Sequence, residues 1–401
     1  MDNRIRSYLT LFLFLLALPA YGQFGQSYDV SARPDLWYND VDGIRLGMVL
    51  RGRVPGLPDE SPHRLDAGVW LGTWFPDLPV SYSSTYTEPV PALSDYGSEF
   101  NVQLSSSVSE GYFEHGISVR KRWQDLFDYM TYWEASLGFS LEKRFNHEYA
   151  VFPELWSDDL KGLVGPRLAH QHLNSAGYFN LDLSSRINTS GPFFYTAAVA
   201  ATQQIHIRES WEIRIRAYGE TVSENTYPEY RLLLSSGPEI STLDSRLSRA
   251  KGTVPAGWVR NGAVHFSGGP NVRGYTDPDA GSVRDGVPVL YASSAAMNVE
   301  LDVPNPLQTV IRGDPRISEF LSFRSYAFSD AAFAGGHTPG RDGLYANAGA
   351  GLALSVNIPD YLGKPRGFVI RYEVPFWLSE PGSDPAWKWR HLLGIGATIR
   401  I

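Results

Sequence analysis

The sequence contains no cysteine, and charged residues make up only 19% of its 401 positions. Without cysteine the chain has neither a disulfide framework nor a thiolate metal site. The formal net charge is −8, and no block of basic residues occurs anywhere in the chain. This composition argues against a nucleic-acid partner, because nucleic-acid binding requires a concentrated positive surface.

Motifs for enzymatic chemistry are also missing. His147-Glu148 resembles the start of the zinc-protease pattern HExxH, but Val151 stands where the second histidine is required. No G-x-S-x-G nucleophile elbow occurs. His170 and His172 are closely spaced, but two ligands fall short of the three or four that a metal site needs. We therefore expect no enzyme, no cofactor and no metal site.

The first segment has the layout of a cleaved secretory signal. A basic start precedes the apolar stretch from Leu9 to Leu18, and small residues stand just before Gln23. The stretch is too short for a spanning helix, which needs ~20 apolar residues, and no later stretch approaches that length. We expect residues 1–22 to be removed after export and residues 23–35 to form a short periplasmic segment.

The dominant pattern in the remaining chain is alternation of apolar and polar residues with period two. It is clear in residues 133–142, where Trp, Ala, Leu, Phe and Leu alternate with Glu, Ser, Gly, Ser and Glu. Residues 179–187, 211–217 and 368–376 repeat it. Such alternation places the two sets of side chains on opposite faces of a β-strand. A soluble β-sandwich and a membrane β-barrel can both produce it.

Three features favour the barrel. The alternating segments run for about 10 to 14 residues, whereas strands of globular sheets usually have about 5 or 6. Aromatic residues recur near segment ends, as at Trp133, Trp211 and Trp377, which suits an interfacial girdle. Charged residues within the polar faces suit a wet lumen, and we place the histidine pair there too. The sequence therefore predicts an all-β, transmembrane antiparallel β-barrel over residues 36–401, in contact with outer-membrane lipid.

Sixteen candidate strands can be counted, which is an even number as single-chain bacterial barrels require. They are residues 42–52, 65–76, 79–88, 97–107, 111–123, 130–144, 161–171, 176–188, 193–207, 211–223, 228–235, 288–303, 319–334, 344–357, 366–377 and 388–401. The patterns in 79–88, 161–171 and 228–235 are weak, so a count of fourteen stays open. Residues 236–286 form the longest irregular segment.

That segment contains a glycine-framed loop that presents a single arginine. Its defining residues are Gly268, Gly269, Val272, Arg273, Gly274 and Tyr275. Glycines let the backbone turn tightly and approach a neighbouring surface. An arginine that leaves water in such a loop requires a carboxylate partner.

The loop resembles the lumen-facing loop of the bacterial surface antigen superfamily of outer-membrane barrels. That superfamily includes barrel-assembly proteins and two-partner secretion transporters, and its pattern is a GG pair followed by V/L-R-G-Y/F. Later segments resemble its next strands in order: residues 298–304 with Glu300, residues 328–332 with Asp330, residues 349–352 and residues 389–401. At the front, residues 38–47 resemble the first strand of barrels fused to patatin-type lipases or gluzincin metallopeptidases.

The resemblance implies that the loop folds into the lumen and that Arg273 pairs with Glu300, Asp330 or both. Five strands after the loop also suit a sixteen-stranded barrel. Two departures stand out. Only a short stretch precedes the first candidate strand, so we expect no periplasmic domain there. A C-terminal assembly signal would comprise Gly396, Ile399 and Ile401, with isoleucine where the superfamily usually has an aromatic residue.

The resemblance implies the membrane component of a complex that inserts, secretes or anchors protein, together with a periplasmic or surface protein partner. A passive pore or transporter for small solutes is the alternative. An outer-membrane enzyme is a third possibility, which the lack of a nucleophile–base set disfavours.

Overall fold

The computed structural model describes residues 29–39, 41–53, 64–74, 79–95, 98–125, 128, 130–148, 150, 152–208, 211–235, 250–253, 264–265, 267–275, 283–284, 287–336, 342–358 and 366–398. In this part of the chain the structure is dominated by strands. No helix among these residues is long and apolar enough to cross a membrane.

Within the described residues, sixteen long strands follow one another as an antiparallel meander, each paired with the next. They are β1 Asp29–Asn39, β2 Gly43–Arg53, β3 Arg64–Gly72, β4 Val80–Pro89, β5 Phe100–Ser109, β6 Tyr112–Gln124, β7 Tyr132–Arg144, β8 Lys161–Asn174, β9 Gly177–Asn188, β10 Phe194–Arg208, β11 Trp211–Val222, β12 Ser293–Val303, β13 Leu321–Gly335, β14 Gly343–Ile358, β15 Arg366–Leu378 and β16 Leu392–Thr398. No pairing between β1 and β16 occurs among the described residues.

The connections contain shorter elements. Helices α1 (Pro306–Gly313) and α2 (Pro315–Phe320) join β12 to β13. Single 3₁₀ turns lie at Pro91–Leu93, Pro153–Leu155 and Pro228–Tyr230, and two-residue strands lie at Leu232–Leu233, Val264–His265, Val283–Arg284, Val287–Pro288 and Leu290–Tyr291.

The structure corrects the strand prediction at two places. Residues 228–235 are not a wall strand, because Leu232, Leu233 and Leu234 are all buried and so do not alternate between two faces. The first strand begins at Asp29, so residues 29–35 belong to the sheet and not to a periplasmic segment. Pro34 obscures the alternation in β1, although proline suits a strand at the edge of a sheet. The weakly patterned segments 79–88 and 161–171 do form strands, β4 and β8.

The meander gives the sheet two distinct ends. The connection from β11 to β12, the longest between neighbouring strands, lies at what we call the loop end. Because neighbouring strands are antiparallel, β1 starts and β16 finishes at the opposite end, which we call the terminal end. Helices α1 and α2 also lie at the terminal end, since they connect β12 to β13. Long loops of outer-membrane barrels lie on the extracellular side, so the terminal end corresponds to the periplasmic side.

One face of the sheet, the outer face, is apolar and exposed. Ile117, Leu137 and Val199 expose 46%, 50% and 40% of their surface. Exposed aromatic residues flank this band, with Trp123, Trp133 and Trp211 towards the terminal end and Tyr38, Trp74, Phe193 and Phe333 towards the loop end. Trp133 near the start of β7 and Phe145 directly after its end are twelve residues apart, or about 30 Å across the sheet at a strand tilt of about 40°. That matches the ~30 Å hydrocarbon thickness of a bilayer.

The histidine pair lies on this outer face and not in the lumen, so that prediction was wrong. His170 stacks on Trp133 with the ring centroids 4.1 Å apart, and His172 stacks on His170 at 6.0 Å. The reason is register, because His170 pairs directly with Trp133 across β7 and β8. These histidines therefore belong to the aromatic border of the apolar band.

The opposite, inner face carries the charged and hydroxyl side chains and holds segments of the long connection. The largest buried apolar cluster lies there, with Leu232, Val272 and Tyr275 from the connection packed beside Ala332 and Leu378 of the wall. Residues 250–253 contact the β5–β6 turn and β7. Residues 267–275 contact β12 to β15. Segments of the connection therefore contact widely separated strands of the inner face.

Candidate functional site

The site forms where residues 267–275 turn against the inner face. Gly269 and Asn271 have φ angles of 55° and 57°, and Gly274 has a φ of 90°. A Cβ atom at Gly274 would lie 2.9 Å from the Cγ atom of Pro375. Glycine at position 274 therefore permits both the left-handed backbone and the close approach to β15.

Arg273 is buried at the centre of the site, with 1% of its surface exposed. Its Nε and Nη2 atoms donate to the two carboxylate oxygens of Asp330, at 2.8 and 2.7 Å. Its Nη1 atom donates to Glu300 at 2.9 Å and to Glu373 at 2.8 Å. One guanidinium thus joins strands β12, β13 and β15 through three carboxylates.

Both acidic residues that the sequence resemblance implied, Glu300 and Asp330, are in contact with Arg273. The sequence reasoning missed Glu373. Its position within the alternating segment 368–376 indicated only a polar inner face, and nothing in the local sequence distinguishes it from other lumen carboxylates. Only the packing of β15 beside the loop brings it to the arginine.

Amide side chains complete the hydrogen bonding of Asp330. Asn298 and Asn347 donate to it through Nδ2 at 3.1 and 2.8 Å, and the backbone N–H of Arg273 donates at 3.2 Å. Asn347 also donates to the carbonyl oxygen of Arg273 at 2.7 Å. Buried polar groups are costly without hydrogen-bond partners. This network therefore stabilises the buried ion pair of Arg273 and Asp330.

Two further arginines approach the same carboxylates. Arg324 and Arg371 each lie 3.4 Å from Glu300, so three guanidinium groups face three carboxylates. Burial by itself would lower the pKa of Arg273, but the charges of Asp330, Glu373 and Glu300 raise it well above its ordinary value. The arginine therefore stays charged at any physiological pH.

Aromatic rings and glycines shape the floor of the site. The guanidinium of Arg273 lies 3.7 Å from the ring centroid of Phe328, which is a cation–π contact. Phe328 pairs with Gly349, and Tyr326 pairs with Gly351. Cβ atoms at these glycines would lie 2.2 and 2.5 Å from the two rings. The glycine-rich strand β14 therefore makes room for the rings.

The other predicted motif residues also lie against the inner face. Val272 is fully buried, and the Tyr275 hydroxyl donates to the carbonyl oxygen of Ala346 at 3.0 Å. Gly268 and Gly269 form the turn, and the carbonyl oxygen of Gly269 accepts from Arg216 at 2.8 Å. Of the predicted C-terminal signal, Gly396 pairs with Val369 in the last hairpin, whereas Ile399 and Ile401 lie outside the described residues.

A second buried charged group, which the sequence did not reveal, lies at the loop end. We call it the loop-end cluster: Glu110, Glu142, Arg144, Lys161, Glu229 and Lys251. Lys161 contacts Glu229 at 2.6 Å, and their side chains are 2% and 1% exposed. Arg144 donates to the carbonyl oxygens of Glu110 and Lys251. The cluster joins β7 and β8 to the long connection.

Polar cavities open along the inner face. One, of about 790 Å³, is lined by charged residues that include Arg120, Glu134, Arg167 and Asp182. A second, of about 270 Å³, is lined largely by serines and by Glu142. In the described part of the chain, no group of three or more histidine, aspartate or glutamate side chains is placed to hold a metal ion.

Comparisons with known proteins yielded structural likeness only. No family model matches the sequence, and no curated protein matches it. A structure of BamA from Haemophilus ducreyi lacking POTRA domains 1–3 is similar with a TM-score of 0.47 and 13% identity over 93% of this chain and 70% of that chain. A bacterial polysaccharide outer membrane secretin gives 0.38 and 8% over 92% and 96%. Pseudomonas aeruginosa OccK11 (OpdR) gives 0.32 and 12% over 91% of both chains.

The distribution of side chains over the two faces of the sheet is that of an outer-membrane β-barrel protein. Its outer face is an apolar band with aromatic borders, and its inner face is charged and polar. Lipid offers no hydrogen-bond partners to the backbone. Strands whose backbone groups pair with both neighbouring strands can therefore cross it.

Proposed function

We propose that the chain is the membrane component of an outer-membrane complex that inserts, secretes or anchors protein, acting with a periplasmic or surface protein partner. The observation that carries this proposal is the contact of Arg273 with Glu300, Asp330 and Glu373. It fixes the long connection against the inner face, in the arrangement that the resemblance to the bacterial surface antigen superfamily implies. Membership of that superfamily and closure of the sheet between β1 and β16 are parts of the proposal.

The energetics of the site support a specific role for the loop. Desolvating several charges is expensive, and the net stabilisation from a buried ion pair is often small. We infer from this desolvation cost that the position of the loop matters for the function of the barrel.

The test is affinity purification of the tagged chain from native outer membranes, followed by mass spectrometry. We expect a partner protein in stoichiometric amount. Arg167→Ala breaks an exposed ion pair and serves as a control variant, which should leave recovery of the partner unchanged. Recovery of the barrel alone, under conditions where it stays folded, would contradict the proposal.

A second candidate is a passive pore for small polar solutes, which the 790 Å³ cavity favours. Its mixed lining of Arg120, Glu134, Arg167 and Asp182 offers both signs of charge to a permeating solute. Planar-bilayer recording distinguishes the two functions. Steady conductance by the unmodified protein favours the pore, whereas a closed baseline favours the complex.

A further inference from the structure

Helices α1 and α2 are short but well specified by the sequence. Asn305 caps α1 by accepting from the backbone N–H of Leu307 at 2.8 Å, and Asp314 caps α2 by accepting from Arg316 at 2.9 Å. Proline follows each cap at the first helical position, which its fixed φ favours. The caps fix the residue at which each helix begins and therefore the direction in which its side chains point.

The polar face of α1 points towards the inner side of the sheet. Gln308 accepts from the backbone N–H of Phe323 at 2.6 Å. Gln308, Thr309 and Arg312 also line a cavity of about 110 Å³, together with the end of β10, the start of β11 and Asp302. These positions cover one side of the helix, since residues three and four apart share a face.

The opposite face of the pair is apolar and exposed. Leu307 and Val310 expose 58% and 74% of their surface on α1. Ile317 and Phe320 expose 43% and 39% on α2. Each pair is spaced by three residues, so each forms one stripe along its helix. Four large apolar side chains on so small an element are an expensive surface to leave in water.

This surface continues the apolar outer band of the sheet. Beside α1, at the terminal end, β10 exposes Ile207 (51%) and β11 exposes Trp211 (38%) on the outer face. On the other side, α2 runs directly into β13. The helix pair therefore lies at the border where the lipid-facing band meets the periplasmic side.

We propose that the apolar face of α1 and α2 is embedded in the lipid of the periplasmic leaflet, as an interfacial segment attached to the barrel. Its polar face then covers part of the inner opening at the terminal end. The proposal needs only that the sheet spans a membrane, and it is independent of a protein partner.

The chain has no native cysteine, so single-cysteine variants give unambiguous labelling sites. We would label Val310→Cys with bimane and reconstitute the full chain into phosphatidylethanolamine–phosphatidylglycerol vesicles that contain brominated acyl chains. Arg312→Cys, on the opposite side of α1, is the matched control. Leu137→Cys, in the middle of the outer band, is the reference for lipid contact.

The expected result is strong quenching of the labels at 310 and 137 by brominated lipid, with little quenching by aqueous iodide. The label at 312 should show the reverse. Quenching of 310 by iodide, protection of 310 from both quenchers or equal lipid quenching at 310 and 312 would each overturn the inference while 137 still reports lipid. Absence of lipid quenching at 137 would overturn the spanning sheet itself and this inference with it.

Discussion

At the scale of single residues, Arg273 determines how the long connection meets the wall. The Nε, Nη1 and Nη2 atoms of Arg273 donate to carboxylates on three different strands. Removing the arginine would leave Asp330 and Glu373 buried without their main counter-charge. Such half-broken buried pairs are among the most destabilising changes in proteins.

We expect Arg273→Ala to lower the free energy of unfolding by ~3–5 kcal/mol or to prevent assembly. The measurement is the temperature at which the heat-modifiable shift of the folded barrel in gel electrophoresis is lost. Arg167→Ala is the control, because the Arg167–Asp182 pair is largely exposed and exposed pairs contribute ~1 kcal/mol or less. A folded Arg273→Ala protein with an unchanged transition temperature would refute the structural role of the site.

At the scale of secondary-structure elements, the glycine-rich strand β14 leaves room for the aromatic rings of its neighbour β13. The rings of Tyr326 and Phe328 lie over Gly351 and Gly349, and the guanidinium of Arg273 packs on Phe328. The backbone of β14 is thus part of the support for the arginine. Glycine in the interior of a strand weakens the strand itself, which is explained here by the close approach of a neighbouring side chain.

We expect Gly349→Ala to destabilise the protein by ~1–3 kcal/mol, because the added methyl group overlaps the Phe328 ring and the carbonyl oxygen of Val374. Gly165→Ala on β8 is the matched control, since its nearest neighbour would be the carbonyl oxygen of Ser185 at an ordinary 3.7 Å. Thermal transitions of both variants give the comparison. Equal losses would show that glycine is needed for general strand properties and not for the ring contact.

At the scale of the whole molecule, buried ion pairs hold the long connection at two separate places. The Arg273 site ties it to β12, β13 and β15, and the loop-end cluster ties it to β7 and β8. Both polar cavities open on the inner face of the sheet. Of the two attachments, the loop-end cluster is the one that borders one of these cavities, through Glu142 and Lys251.

We expect Lys161→Ala to loosen the loop-end attachment, because Glu229 loses its buried counter-charge. In planar bilayers, the variant should show larger or more frequent current steps than the unmodified chain. Lys388→Ala is the control, since Lys388 is 39% exposed and its partner Asp384 belongs to the same loop. Identical current records for all three proteins would mean that the loop-end cluster does not control passage.

Several features of the fold could be predicted from local sequence. Alternation located most wall strands, because the period of side chains along a strand is independent of what the strand packs against. It failed at β1, where Pro34 interrupts the pattern, and at residues 228–235, where a buried apolar run resembles a strand. It also placed His170 on the wrong face, since register with Trp133 is a property of two strands.

By itself, the sequence determined an all-β chain with alternating faces, a loop with one arginine and two of that arginine's acidic partners by resemblance. Those properties reside in spacing along the chain. Only the tertiary structure decided that Glu373 completes the site, that Lys161 meets Glu229 and that α1 and α2 display an apolar face beside the outer band. The two charge contacts join residues far apart in sequence, and the packing that creates them leaves no periodic signal in either partner. The spacing of the apolar residues in α1 and α2 is local, but only the fold places these helices beside the outer band.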